Sequence, residues 1–312
     1  MRNNLQLVSF ETPDRLSLPG LLYEPKEKTD KVAIYLHGNG SSSVFYDTEE
    51  MNILGKYLVD VGISFFPFNN RGAHWIKKLN KNINGKKERI LYGMTYELIK
   101  ECVLDIDGAI NFLRGLGYRF FYLIGSSTGA NKIVVYHYYQ RKNPVSKYIL
   151  LSGGDDAGLY YEFEFKKSRK QFFNVIRRCE KQIKKGNGRN FVQKYILKEP
   201  IISYQSLYDT INPDGDYNIF PFNEYMNNLK LSQKPLFKEY KTINKPTLVV
   251  YGEFDEYCYG NVPRCVEILK KESASWRTNP KIFTFKIIKG ADHGFDGKEK
   301  ELAEIITKWL KS

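Results

Sequence analysis

The stretch Arg119-Phe120-Phe121-Tyr122-Leu123-Ile124-Gly125-Ser126-Ser127-Thr128-Gly129-Ala130 decides the reading of this chain. It opens with an apolar run of strand length and continues past Gly129 into a helix-like run, Ala130 to Gln140. Between them stands G-x-S-x-G. A serine at the centre of so tight a strand–turn–helix junction sits on strained backbone. Flanking residues without Cβ let strand and helix approach while the hydroxyl stays exposed.

Working outward, strand-like and helix-like runs alternate. Leu5–Phe10 and Leu16–Tyr23 read as two leading strands joined by a Pro13-Asp14 turn, with no helix between them, so an antiparallel edge is expected. Lys31–Leu36 and Ile63–Phe68 read as buried strands. Helical spacing is present over Val44–Val59 and over Val103–Leu116, where Val103, Ile106, Ile110 and Leu113 share a face. Lys147–Leu151, Thr247–Tyr251 and Lys281–Ile288 continue the strands, the last two each followed by a helical run. Such alternation predicts βαβ crossovers and a mostly parallel sheet with helices on both faces. One segment breaks it, residues 155–240. There Phe172, Ile176, Cys179 and Ile183 mark one amphipathic helix, stopped by Gly186-Asn187-Gly188. We expect residues 1–154 and 241–312 to form the core and 155–240 an inserted, largely helical cap of two to four helices.

In this context Gly125-Ser126-Ser127-Thr128-Gly129 resembles the nucleophile elbow of the α/β-hydrolase superfamily. The resemblance covers nearly the whole chain outside the insertion. Asn69-Asn70-Arg71-Gly72 is similar to the N/D-x-R-G turn after the fourth strand of many serine esterases and peptidases of this fold. The form G-x-S-T-G-A, with Ser126 where histidine is frequent, resembles a hydrolase group that includes siderophore-ester hydrolases. The resemblance implies a triad in the order Ser, Asp/Glu, His. Of four histidines, His37 and His74 precede Ser127, and His137 lies too far along the elbow helix. His293 remains, in Gly290-Ala291-Asp292-His293-Gly294 just past a strand. The run Thr247–Tyr251 leads into Gly252-Glu253-Phe254-Asp255, and Asp255 is the expected acid; Glu253 and Glu256 have a lower claim, and Asp292 is too close in sequence to orient His293. The superfamily's oxyanion hole would then use the N–H of Thr128 and that of Asn39 or Gly40, in His37-Gly38-Asn39-Gly40-Ser41. His37 itself reads as structural.

The remaining features narrow the class. With 42% hydrophobic and 27% charged residues, the 312-residue chain is globular in composition. No apolar run reaches the ~18–20 residues of a transmembrane helix, and no signal peptide is evident at Met1. Cys102, Cys179, Cys258 and Cys265 have no metal-binding spacing and read as free thiols, which points to the cytoplasm. No phosphate-binding loop, dinucleotide fingerprint or H-E-x-x-H is present, so neither cofactor nor metal is expected. The net charge is +13, and residues 166–189 alone contribute a net +9. That stretch reads first as a solvated helix face. A nucleic-acid partner is disfavoured, because no recognised binding motif accompanies it. As part of a cap it hints at an acidic substrate, while the neighbouring aromatics Phe163, Phe165, Tyr204 and Tyr208 would wall an acyl site. The expectation is a cytoplasmic carboxylic ester hydrolase acting on a small-molecule ester. Amide, peptide or thioester hydrolysis is the alternative within the fold, and a non-catalytic hydrolase-like binding protein the alternative outside it.

Overall fold

Alternating apolar runs become one eight-stranded sheet in the order β1-β2-β4-β3-β7-β8-β9-β10. The structure, a computed structural model, describes residues 4–45, 48–193, 197, 201–274 and 282–312. The strands are β1 (Asn4–Glu11), β2 (Ser17–Glu24), β3 (Lys31–Leu36), β4 (Ser64–Phe68), β7 (Phe120–Ser126), β8 (Val145–Leu151), β9 (Thr247–Gly252) and β10 (Phe283–Ile288). The leading pair is antiparallel, as is β2 to β4; the other neighbours run parallel. This matches the predicted edge and crossovers. Lys281, the first residue of the predicted last strand, lies outside the described residues.

Strand periodicity explains how two helix layers are held. Along β3, Val32, Ile34 and Leu36 face one cluster and Ala33 and Tyr35 the other. Helices α2 (Cys102–Gly115), α3 (Thr128–Tyr139) and α8 (Val262–Ala274) bury their apolar stripes on the first face. Helices α1 (Thr48–Asp60) and α9 (Glu299–Lys311) cover the second. The helix expected from Val44 starts only at Thr48. Asn69 is the reason: its Oδ1 accepts the N–H groups of Ser43 (2.7 Å) and Val44 (2.9 Å), which holds that stretch as a loop.

A hairpin, β5 (Lys77–Ile83) and β6 (Lys86–Tyr92), was not foreseen from the sequence. Its signal is Asn84-Gly85, with φ of 51° and 81°, the pairing that suits a tight two-residue hairpin turn. Lysines and asparagines outnumber apolar residues there, so alternation is faint; Leu79 and Ile90 pack on the core and Lys81 pairs with Asp14 at 2.8 Å.

The segment from 155 to 240 has a small core of its own. Its described helices are α4 (Asp156–Leu159), α5 (Arg169–Lys184), α6 (Tyr204–Ile211) and α7 (Phe222–Asn227), with a π-helical turn at Tyr160–Glu164. Phe172, Ile176 and Cys179 of α5 pack with Leu207 and Ile211 of α6, on the stripe the spacing predicted. The ten basic side chains of 166–189 are exposed.

His137 ties the return from this segment to the sheet. Its Nε2 lies 2.9 Å from the Thr242 carbonyl and so carries the proton; its Nδ1 lies 3.0 Å from the Tyr148 hydroxyl. Burial is the main cause that lowers its pKa to about 4 from 6.5. A histidine held neutral adds stability above its unfolded pKa, and that stability is lost as pH falls through its folded pKa. The window here runs from pH 6.5 down to about 4. We expect His137→Gln to lose less stability across this window than the wild type, by up to about 3 kcal/mol, in denaturant titrations at stepped pH. Parallel curves for the two proteins would remove His137 from the acid response.

Candidate active site

The chain goes from β3 to β4 on one side and returns to β7 on the other. That reversal opens a crevice at the carboxyl ends of β3 and β7, where ligands bind in sheets of this kind. The register pairs Leu36 with Gly125, so the loops after the two strands leave side by side. Three glycines make the approach possible. A Cβ on Gly129 would lie 2.1 Å from the Leu36 carbonyl oxygen, and one on Gly125 would lie 2.3 Å from the Gly129 carbonyl. One on Gly38 would lie 3.0 Å from Ser127 Cβ and 3.4 Å from its Oγ.

Ser127 occupies the turn at φ 55°, ψ −126°, a conformation that L-residues rarely adopt. Its N–H donates to the Leu151 carbonyl at 2.9 Å, and its own carbonyl accepts from Ala130 N at 2.9 Å, which begins α3. Both bonds fix the backbone and leave the side chain to the cavity.

On the other side of the crevice, β10 pairs with β9 so that Ile288 meets Gly252. Backbone bonds from Glu253 N to Ile288 O (2.9 Å) and from Phe254 N to Ala291 O (2.8 Å) clasp the two following loops. The clasp sets Asp255 Oδ1 2.9 Å from His293 Nδ1. The same oxygen accepts from Tyr257 N at 3.0 Å, and Asp255 is buried. The Tyr257 ring stands edge-on to His293, centroids 4.5 Å apart. Ser127, Thr128, Asn39 and His293 line one cavity of about 510 Å³. Gly40 does not line it; with φ 66° it turns toward Met94 and lines a neighbouring hollow with His74, Trp75 and Lys77. Of the two loop residues considered for the oxyanion role, Asn39 lines the cavity of Ser127 and Gly40 the neighbouring hollow.

Several polar residues hold this arrangement from behind. His37 Nε2 accepts the Asn70 N–H at 3.2 Å, so the proton is on Nδ1, which faces the Gly38 carbonyl at 2.8 Å. Burial holds its pKa well below the ordinary value, so His37 is a neutral strut between loops. Arg71 of the N-N-R-G turn is likewise structural. Its Nε donates to Asp105 at 2.8 Å, its backbone N–H to the same carboxylate at 2.9 Å, and its Nη2 to Asp14 at 3.0 Å. Asn131 on α3 bonds Gly154 in both directions, 2.8 and 3.1 Å, and fixes the chain leaving β8. Lys132, fully buried, pairs with Glu97 at 2.5 Å. Glu97 occupies the space that a Cβ on Gly72 would need.

Among the described residues of the 155–240 segment, only Asp156 and Leu159, at its start, line the cavity. Asp155 anchors it, accepting from Gly158 N (2.9 Å), Asn223 N (2.7 Å) and the Tyr259 hydroxyl (3.0 Å). The expectation that Phe163, Phe165, Tyr204 and Tyr208 form the wall does not hold for the described lining. Phe165 and Tyr204 are buried in the segment's own core with Tyr208 against them, while Phe163 is exposed and stacks on Tyr259. The wall comes instead from Tyr35, Glu50, Asp156, Leu159, Tyr257 and Asp296. Nothing in their sequence neighbourhoods marks them, because five separate elements deliver them.

Two glycine substitutions separate folding from site shape. Gly129→Ala sets a Cβ against backbone that cannot yield, and should cost on the order of 3–5 kcal/mol or abolish soluble expression. Gly38→Ala meets mainly the Ser127 side chain. It should melt close to the wild type yet lower the reactivity of Ser127 toward a fluorophosphonate at least about tenfold, by displacing Oγ from its position. Equal reactivity in Gly38→Ala would show that this contact does not set the serine.

The fold is that of the α/β-hydrolases, and solved structures of the same architecture span nearly the whole chain. Esterase Pf2001 of Pyrococcus furiosus aligns with a TM-score of 0.57 at 15% identity, covering 99% of this chain and 92% of its own. Est1E from Butyrivibrio proteoclasticus with ferulic acid bound aligns with a TM-score of 0.60 at 14% identity, covering 97% and 98%. Dienelactone hydrolase from Anabaena variabilis aligns at 0.53 and 14%, covering 100% and 98%. At such identities the likeness is one of fold. No curated protein matches the sequence. One family model does match, over residues 91–311, which include the elbow, Asp255 and His293. The chain therefore belongs to the DUF1749 family, described as proteins of unknown function.

Proposed function

We propose that the protein is a serine hydrolase that cleaves carboxylic esters through an acyl-enzyme. The observation that carries the reading is the conjunction at the crevice: a serine on a strained elbow, and a histidine in the same cavity whose Nδ1 is held by a buried aspartate at 2.9 Å. Because Asp255 occupies Nδ1, Nε2 is the nitrogen left to face Ser127. Ser127 Oγ attacks the ester carbonyl as Nε2 takes its proton. Asp255 keeps the imidazole in that tautomer and stabilises the imidazolium that forms. Negative charge gathers on the former carbonyl oxygen, where the N–H groups of Thr128 and Asn39 meet it. His293 then returns the proton to the leaving alcohol, and a water activated by the same nitrogen releases the acid. The chain's own residues supply every group these steps use.

Ester rather than amide or thioester is supported by the esterases among the structural neighbours. We further propose that residues 1–154 and 241–312 are the catalytic core and 155–240 a cap. Asp156 and Leu159 in the cavity wall, and a hydrophobic core distinct from the two that flank the sheet, support that division.

A fluorophosphonate probe should label the wild type and not Ser127→Ala. On p-nitrophenyl acetate, His293→Ala and Asp255→Asn should each lower kcat by about 10³–10⁴-fold without unfolding the protein. Labelling that persists in Ser127→Ala would overturn the nucleophile. A folded wild type that neither labels nor hydrolyses would favour a non-catalytic binding protein.

A further inference from the structure

We propose that this cavity selects a substrate carrying a positive charge, an ammonium or guanidinium group on the acyl or alcohol part of the ester. The inference rests on the hydrolase reading above and names its substrate class. The site is located by Ser127, His293 and Asp255, so the surrounding charges need only decide what it accepts.

Among the described residues that line the cavity, the charged side chains besides His293 are Glu50, Asp156 and Asp296; there is no lysine or arginine. They come from the first turn of α1, the start of α4 and the loop before α9. Glu50 Oε1 accepts from the Tyr35 hydroxyl at 3.2 Å. Asp156 is partly buried, with Asn131 Nδ2 3.5 Å from its Oδ2. Asp296 lies in the field of further carboxylates, Asp292 first, then Glu299 and Glu256. Glu256 also accepts the backbone N–H of His293 at 3.3 Å. The nearby ammonium of Lys298 is directed to Glu301, 3.5 Å away. A bound cation would offset this mutual repulsion, whereas an anionic acyl group would add to it.

The sign is opposite to that of the whole chain, which carries +13. Much of the positive charge is on the exposed 166–189 stretch, none of whose side chains lines the cavity. At physiological salt, exposed charges beyond about 8 Å are largely screened, so the lining carboxylates dominate inside. The proposal thus departs from the acidic substrate expected from the basic stretch, because none of that stretch lines the cavity. Tyr257, half-exposed at the cavity, also offers an aromatic ring suited to a cation. A volume of about 510 Å³ fits a small or medium ester.

Acetylcholine and its neutral carbon isostere, neohexyl acetate, differ only in the charged atom. Wild-type kcat/KM should favour acetylcholine by about tenfold or more at low salt, and the ratio should shrink as salt is added. Asp156→Asn and Glu50→Gln should each lower the ratio, and together bring it near one. Choline should also bind the Ser127→Ala protein more tightly than neohexanol in a calorimetric titration, which reads the preference without catalysis. If the isosteres are cleaved equally and bind equally, the inference falls while the hydrolase reading stands. If choline binds through Asp156 and Glu50 but no ester is cleaved and no probe attaches, the hydrolase reading falls and the preference for cations remains. Should the double variant fail to fold, the isostere ratio and its salt dependence in the wild type still decide the matter.

Discussion

The approach of two backbones at the carboxyl ends of β3 and β7 is the constraint on which the rest of the site depends. Gly129 has no room for a side chain beside the Leu36 carbonyl, and Gly38 has little beside Ser127. Interiors are packed too densely to absorb an extra atom between main chains. That approach puts the loop carrying Asn39 beside the elbow, so Asn39, Ser127 and Thr128 line one cavity. It also imposes the positive φ of Ser127, which the register of β7 against β3 and β8 sustains. The strain is local, and a sheet hydrogen-bonded on both sides bears it.

The charged groups behind the elbow follow from the same geometry. Bringing loops together in the interior strands polar groups that must find partners there. Arg71 finds Asp105 and Asp14, neutral His37 stands between Asn70 and Gly38, and Lys132 sets its charge against that of Glu97. Such buried pairs are not strong net stabilisers, because desolvation offsets much of the attraction. Removing one partner would leave the other charged and dry, so the pairs act as fixed spacers between loops. The cavity in front is charged differently, with carboxylates that water or a ligand can still reach. The ion pairs thus lie behind Ser127, and acidic side chains line the cavity before it.

Much of the fold was legible before any coordinates. The runs that became β3, β7 and β9 are continuous and apolar because both faces of a central parallel strand are buried, and such runs need no tertiary knowledge. Ser127, Asp255 and His293 stand out for a related reason, since each follows the end of a strand, where ligands of such sheets bind. The β5–β6 hairpin was missed although Asn84-Gly85 announces it, because few of its residues are apolar. The helix expected from Val44 was delayed by Asn69, a residue in a different loop. Local pattern carries no trace of such a capture.

What the sequence by itself determined is the alternation of elements, the elbow and the order of its chemical groups, all of which depend on neighbours along the chain. What only the tertiary structure decided is which of Asn39 and Gly40 lines the cavity of Ser127, which residues wall it, and what charge that wall carries. Those properties arise where Tyr35, Glu50, Asp156, Tyr257 and Asp296 converge from segments separated by up to some 260 residues. The basic helix α5 shows the same limit from the other side. Its charge is plain in the sequence, but electrostatic influence decays within a Debye length, so its distance from the site governs its effect. Distance across the fold is set by packing, and no run of residues encodes it locally.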